Sequence, residues 1–383
     1  MANASPAKHG DDLEAFIQDM PKGELHVHLE GCLTPELVRT FAERNNLDIP
    51  SALSTLDQSG GGYAFNDLTS FLSLYYACQS ILQTAEDFQE LAFDYLSRAA
   101  KQNVVHVEMF FDPQAHTSRG IPFSTVVSGY HAGIQQAYQQ YKISASLILC
   151  ILRDESAGYG MATVLSSLPH KHLIAGIGLD SDERDHPPIE HAAAFARARR
   201  EGYQLTAHCD IDQQNTLEHI RQCLEVLKVD RIDHGTNIVE DPALIEVLKA
   251  RNIGLTCCPI SNSIVTTTAK FPEILQLLRQ GVKVTCNSDD PAYFRGYLFE
   301  NLLKLAKETD ITRKELILLQ RNAFEISWKS TSIVHWGKQH PDGVVGWCGA
   351  QPGLGVSLAS PPTLLRVPRA SFFDILKVWQ FQT

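Results

Sequence analysis

The sequence predicts an α/β fold, a (β/α)8 TIM barrel with an inserted helical segment between strands 1 and 2. Three observations carry that prediction. Eight short runs are rich in β-branched and apolar residues. Amphipathic segments with apolar residues three and four apart alternate with them. Metal-competent side chains recur at the carboxyl ends of those runs, where barrel enzymes keep their chemistry. The runner-up is a doubly wound open sheet.

The predicted strands are "ELHVHL" (24–29), "VVHVEMFF" (104–111), "SASLILCILR" (144–153), "LIAGIGLD" (173–180), "YQLTAHC" (203–209), "DRIDHG" (230–235), "IGLTCCP" (253–259) and "VKVTCNS" (282–288). Gly202 and Gly281 each stand just before a strand, as glycines that close a preceding helix do. The long gap between the first two strands holds "LTSFLSLYYACQSIL" and "FQELAFDYLSRAAKQ", both with helical periodicity. In a barrel that insertion lies over the mouth. "DQSGGGYAFND" (57–67) reads as its flexible part.

Three segments are expected: an N-terminal segment (1–19), a metal-dependent barrel (20–329) and an atypical tail (330–383). The tail is Gly- and Pro-rich and without period, so it predicts loop-like or poorly ordered chain. Its apolar "ASFFDILKVWQF" is the one candidate helix there.

Composition narrows the function. The 383 residues are 44% hydrophobic and 20% charged, an ordinary globular balance. A net charge of −11 gives no attraction to phosphate, which argues against a nucleic-acid or anionic-membrane binder. No apolar run nears the length of a membrane span, and "MANASPAKHG" lacks the apolar core of a secretory signal. Nine cysteines, none in a CxxC pair, suggest free thiols in a reducing compartment. The expected location is the cytoplasm, with the nucleus open in a eukaryote.

The strand ends carry the chemistry. Strand one supplies His26 and His28; side chains two apart on a strand point to the same side. Strand five ends in His208, strand six in His234, and strand eight in Asp289 and Asp290. An HxH pair alone is weak, a lone buried histidine is usually a core residue, and "SDDP" often caps a helix. Four strands converging on one rim are more specific. His26, His28, His208 and Asp289 suit one Zn2+ per chain, since zinc takes imidazole and carboxylate ligands. Such an ion lowers the pKa of its water to roughly 7. His234 is then free to act as the base toward that water, and Asp290 to hydrogen-bond the substrate. The set describes metal-assisted hydrolysis.

His28-Leu29-Glu30 also satisfies H-x-E, half of the cytidine-deaminase pattern, but the P-C-x-x-C half is absent. Glu30 therefore reads as structural, a helix-start or loop hydrogen bond before "GCLTPE".

In this order, "ELHVHLEG", "TAHCD", "RIDHG", "CPISN" and "NSDDPAYF" resemble the adenosine/adenine deaminase family of the amidohydrolase superfamily. The resemblance covers roughly residues 20 to 328. "FFDPQAHTSRGI" and "GLDSDE" look closest to its adenine deaminase branch. It implies a zinc-dependent hydrolase acting on a cyclic amidine C–N bond, turning adenine into hypoxanthine and ammonia in purine salvage. By position, His26, His28, His208 and Asp289 match the zinc ligands, and His234 the base. Asp290 matches the carboxylate at purine N7, and the backbone around Ser181 the position near N3.

One departure stands out. The family usually reads H-A-G-E after strand five, and that Glu protonates N1; here the text is "HCDIDQ". Asp212 or Asp210 must take that role, with Asp212 preferred. A shorter acid on a longer loop opens N6-substituted adenines, or adenosine, as alternative substrates. Other amidohydrolases bridge two metals with a lysine on strand four, but "GLDSDE" contains none. A non-catalytic metal-binding paralogue is the reading outside enzymes, and no ligand is missing to favour it. The oligomeric state is not fixed by sequence.

Overall fold

The structure is a computed structural model describing residues 8–50, 62–209, 215–266 and 268–329. The tail from 330, with its candidate helix, lies outside the described residues. So do residues 51–61, which include 57–61 of the segment expected to be flexible, and Asp210 and Asp212.

Eight strands form one parallel sheet in chain order: β1 (Lys22–His28), β2 (Val104–Phe111), β3 (Ser144–Leu152), β4 (Ile174–Asp180), β5 (Gln204–Cys209), β6 (Arg231–His234), β7 (Gly254–Cys257) and β8 (Val284–Cys286). Helices on the outer face bury their apolar stripes against the sheet. Strands covered on both sides need near-continuous apolar runs, which explains their Val, Ile and Leu content.

The sheet closes on itself, which rules against the open alternative. His28 N–H donates to the Asp289 carbonyl at 2.9 Å, and Asp289 N–H to the His26 carbonyl at 3.1 Å. Leu25 N–H donates to Asn287 Oδ1 at 2.9 Å. Glu24 fixes the same seam from inside, accepting from the Ser288 N–H and the Tyr95 hydroxyl. Gly202 and Gly281 have φ of 81° and 83°, a left-handed conformation that suits glycine at a helix end.

A helix the sequence reading left unassigned, α1 (Lys8–Asp19), precedes β1. Its apolar positions are few, which hides it from a periodicity search; Ile17 is fully buried. Lys22 lies just beyond, its ammonium donating to the carbonyls of Gln18, Met20 and Gln102.

Between β1 and β2 stand α2 (Pro35–Arg44), α3 (Leu68–Gln79) and α4 (Ala85–Lys101). Capping boxes start α3 (Asp67 with Ser70) and α4 (Thr84 with Asp87), each satisfying two backbone donors that a helix start leaves free. The described end of the preceding loop is pinned. Tyr63 stacks on Tyr293 at 4.1 Å, and its hydroxyl donates to the Leu33 carbonyl at 2.6 Å. Leu68, Phe71, Leu72, Tyr75 and Tyr76 of this insertion face the cavity at the strands' carboxyl ends. Among the described residues, no helix is long and apolar enough to cross a membrane.

Candidate active site

The barrel brings His26, His28, His208 and Asp289 together. One donor atom from each lies within 4.8 Å of the others, and all four residues are buried. His208 Nε2 is 3.0 Å from His26 Nε2 and 3.1 Å from His28 Nε2. Asp289 Oδ1 is 3.1 Å from His26 Nε2 and 3.5 Å from His28 Nε2.

The far nitrogens decide what the near ones are. His208 Nδ1 faces the Leu179 carbonyl at 3.0 Å and therefore carries the ring proton. His26 Nδ1 lies 2.9 Å from Thr256 Oγ1, whose own proton goes to Asp233 Oδ1 at 2.8 Å. His26 must then be the donor to Thr256. His28 Nδ1 faces Asp180 Oδ2 at 3.5 Å. All three rings thus turn Nε2 toward the same point, beside a carboxylate. Lone pairs crowded this closely repel unless a cation lies among them. The outer partners, a carbonyl, a hydroxyl and a carboxylate, are those that orient metal-ligating histidines. The donor set of three imidazoles and one carboxylate fits a divalent ion such as zinc.

Electrostatics favour the neutral state for two of the three rings; at His26 burial opposes the charge, but Asp289 outweighs it and raises the ring above its ordinary value. Burial drives His28 down to about 3 and His208 well below its ordinary value, so both are neutral. Burial opposes ionisation of Asp289, but His26 foremost outweighs it and holds the carboxyl well below the usual range.

His234 stands apart from this set, its Nε2 3.8 Å from Asp289 Oδ2. Burial lowers it to about 3, leaving the imidazole neutral. His234, Asp289 and Ser181 have φ of 61°, 65° and 74°. Non-glycine residues held in this region cost on the order of 1–3 kcal/mol each and cluster at functional sites. All three stand just at or beyond strand ends on one rim. Asp290 lines the cavity, and burial, then the neighbouring Asp289, pushes its carboxyl well up. Gly31 makes room for it: a Cβ there would lie 2.1 Å from Asp290 Oδ1.

Sequence reasoning missed a second group of acids. Asp112, just past β2, and Asp180, the last residue of β4, gather with His28. Burial, then Glu30, raises Asp112 to about 7, and burial, then Asp112, raises Asp180 well up. Two carboxyls this close share a proton. Both sit where the strand-end rule looks, in "FFDP" and "GLDSDE". Glu30 is structural as expected, but not locally. It accepts from His116 Nε2 at 2.9 Å, Tyr130 Oη at 2.8 Å and the Asp112 N–H at 3.3 Å. Phe110 packs its ring 4.9–5.2 Å from those of His26, His28 and His208, keeping the donor cluster dry on that side.

A model of the family described as "Adenosine deaminase" matches residues 21–333. The chain belongs to the adenosine deaminase family. It is a hydrolytic deaminase of the amidohydrolase superfamily, and its relatives lie on the adenine deaminase side. An uncharacterized deaminase of Schizosaccharomyces pombe is 48% identical over 320 residues, covering 83% of this chain and 94% of that protein. An adenine deaminase of Geotalea uraniireducens is 44% identical over 326 residues, covering 84% of this deaminase and 91% of its relative. The crystal structure of adenine deaminase from Arthrobacter aurescens superposes with a TM-score of 0.76 at 36% identity, covering 83% of this chain and 99% of that one.

Proposed function

We propose that this deaminase hydrolyses adenine to hypoxanthine and ammonia, using one zinc ion, in purine salvage in the cytoplasm. The observation that carries the reading is the convergence of three imidazole Nε2 atoms and Asp289 beside a neutral His234. Relatives named adenine deaminase, 40–44% identical to this chain, support the substrate. Residues 20–329 are the catalytic unit.

His26, His28, His208 and Asp289 hold the ion, and when bound it makes hydroxide available from water near neutral pH. His234 orients the water and accepts its proton as oxygen adds to C6. The addition makes C6 tetrahedral and puts charge on N1. Asp212, or Asp210, delivers a proton there; both lie outside the described residues. Asp290, kept protonated by burial, donates to N7, an acceptor in the 9-H base. His234 then returns its proton to the departing nitrogen and ammonia leaves, while the remaining proton of the C6 hydroxyl passes to the carboxylate that protonated N1, leaving the C6 carbonyl and N1–H of hypoxanthine.

The test is ammonia release from a panel of adenine, adenosine and N6-alkyladenines. Adenine is expected to be the best substrate. A clear preference for an N6-alkyladenine or for adenosine would replace the substrate named here.

A further inference from the structure

The cavity is bridged toward solvent by a contact the chemistry does not use. Tyr76, in the second half of α3, and Ser181, the first residue past β4, meet through their hydroxyls at 2.7 Å. Both are only partly buried. The groups that would do the chemistry, His26, His28, His208, His234 and Asp289, are at most 6% exposed. Tyr76 and Ser181 therefore stand on the mouth side of a cavity whose floor is the donor cluster.

The bridge is anchored at both ends. Ser181 follows Asp180, which lies against the buried His28 and Asp112, and its own φ of 74° sets the direction of its Cα–Cβ bond. Tyr76 sits on a helix that presents Leu72, Phe71 and Tyr75 to the same cavity. The space they leave is small. The volume open to the centre of a water molecule is about 60 Å³. At roughly 10–15 Å³ per water, that holds only a handful of them.

Purine geometry supplies the remaining step. C6 must face the floor, where the donors and His234 are. N9 and C8 are the ring atoms farthest from C6, so they point back toward the mouth. A glycosidic bond leaves from N9. In the free base that position carries at most a hydrogen; in a nucleoside it carries a ribose, which would run into the Tyr76–Ser181 bridge.

We propose that the Tyr76–Ser181 hydrogen bond is a size gate that admits the free purine base and rejects its nucleoside. The proposal rests on the reading of the site as a 6-aminopurine deaminase. Tyr76 touches no reacting atom; it determines specificity through what it excludes.

The experiment measures kcat and KM for adenine, 9-methyladenine and adenosine on the metal-loaded full chain, in the wild type, Tyr76→Phe and Tyr76→Ala. The wild type is expected to use adenine and to discriminate against adenosine. Tyr76→Ala should raise the adenosine-to-adenine ratio of kcat/KM about tenfold or more, chiefly through a lower KM for adenosine. Tyr76→Phe, which keeps the ring and loses only the hydroxyl, should give a smaller rise and guards against loss of folding in the larger truncation. 9-Methyladenine should fall between the other two substrates. An unchanged ratio in variants that still deaminate adenine overturns the gate alone, as does a wild type that prefers adenosine. A wild type inactive on every 6-aminopurine overturns the reading of the site and the gate with it.

Discussion

Asp289 and His26 meet twice at the seam where the barrel closes. The Asp289 N–H donates to the His26 carbonyl at 3.1 Å, and Asp289 Oδ1 lies 3.1 Å from His26 Nε2. The backbone contact helps close the sheet; the side-chain contact helps build the donor cluster. The two can be separated. Asp289→Asn keeps the backbone bond and the residue's shape but removes the charge. It should stay folded by circular dichroism while its metal content falls below one per chain and its turnover is lost.

His234 and His208 should fail differently. His234→Ala removes the group assigned to the proton and leaves the four donors in place. Turnover should drop about 10²–10⁴-fold, with metal retained. His208→Ala should lose metal and turnover together. Metal analysis beside steady-state rates distinguishes them, and near-wild-type rates in the His234 variant would show its role to be misassigned.

Gly31 is required by close approach rather than by backbone conformation. Gly31→Ala would force its Cβ against Asp290 Oδ1 and Cγ. Displacing Asp290 from the substrate should cost about tenfold or more in kcat/KM for adenine, about 1.4 kcal/mol. The same Cβ would lie 2.8 Å from Asp290 Cα, so the backbone beside Asp289 must shift as well and metal content should fall with it.

Inside the barrel, Arg231 Nη1 and Glu108 Oε2 pair at 2.6 Å with both side chains fully buried. Burial alone would raise Glu108, but Arg231 and then His106 outweigh it and hold the carboxyl at about 2. A folded pKa below the unfolded one adds stability above the unfolded value. That stability is lost as pH falls from 4.5 through about 2. The drop corresponds to about 3 kcal/mol. Denaturant titrations across that range should show the loss in the wild type and a flatter profile in Glu108→Gln. Glu108→Gln should also be less stable at neutral pH, because it takes from the buried Arg231 the nearer of two carboxylates and leaves it Asp233 at 3.8 Å.

Most of the architecture was legible because it rests on local patterns. The eight apolar runs match the strands to within a residue or two at most ends. The polar side chains at their ends are the ones the barrel gathers. What escaped was set by long-range packing. Asp112 and Asp180 become one group with His28 only when the closed barrel brings the ends of β1, β2 and β4 to one rim. Glu30 looks like a local turn residue until His116 and Tyr130 arrive from another part of the chain. Tyr76 reads as one more apolar-face residue of α3, and nothing in its own neighbourhood names Ser181 as its partner. The helix before β1 was hidden by its low apolar content, and it is held by packing rather than by propensity.

The central claim is that four side chains from three parts of the chain hold one divalent ion that the deamination requires. The most direct measurement is metal content and ammonia release from adenine, taken before chelation, after it and after zinc is restored. Active protein should carry close to one ion per chain, the chelated form should release no ammonia, and adding zinc should restore release. Full release of ammonia from protein shown to be free of metal would contradict it.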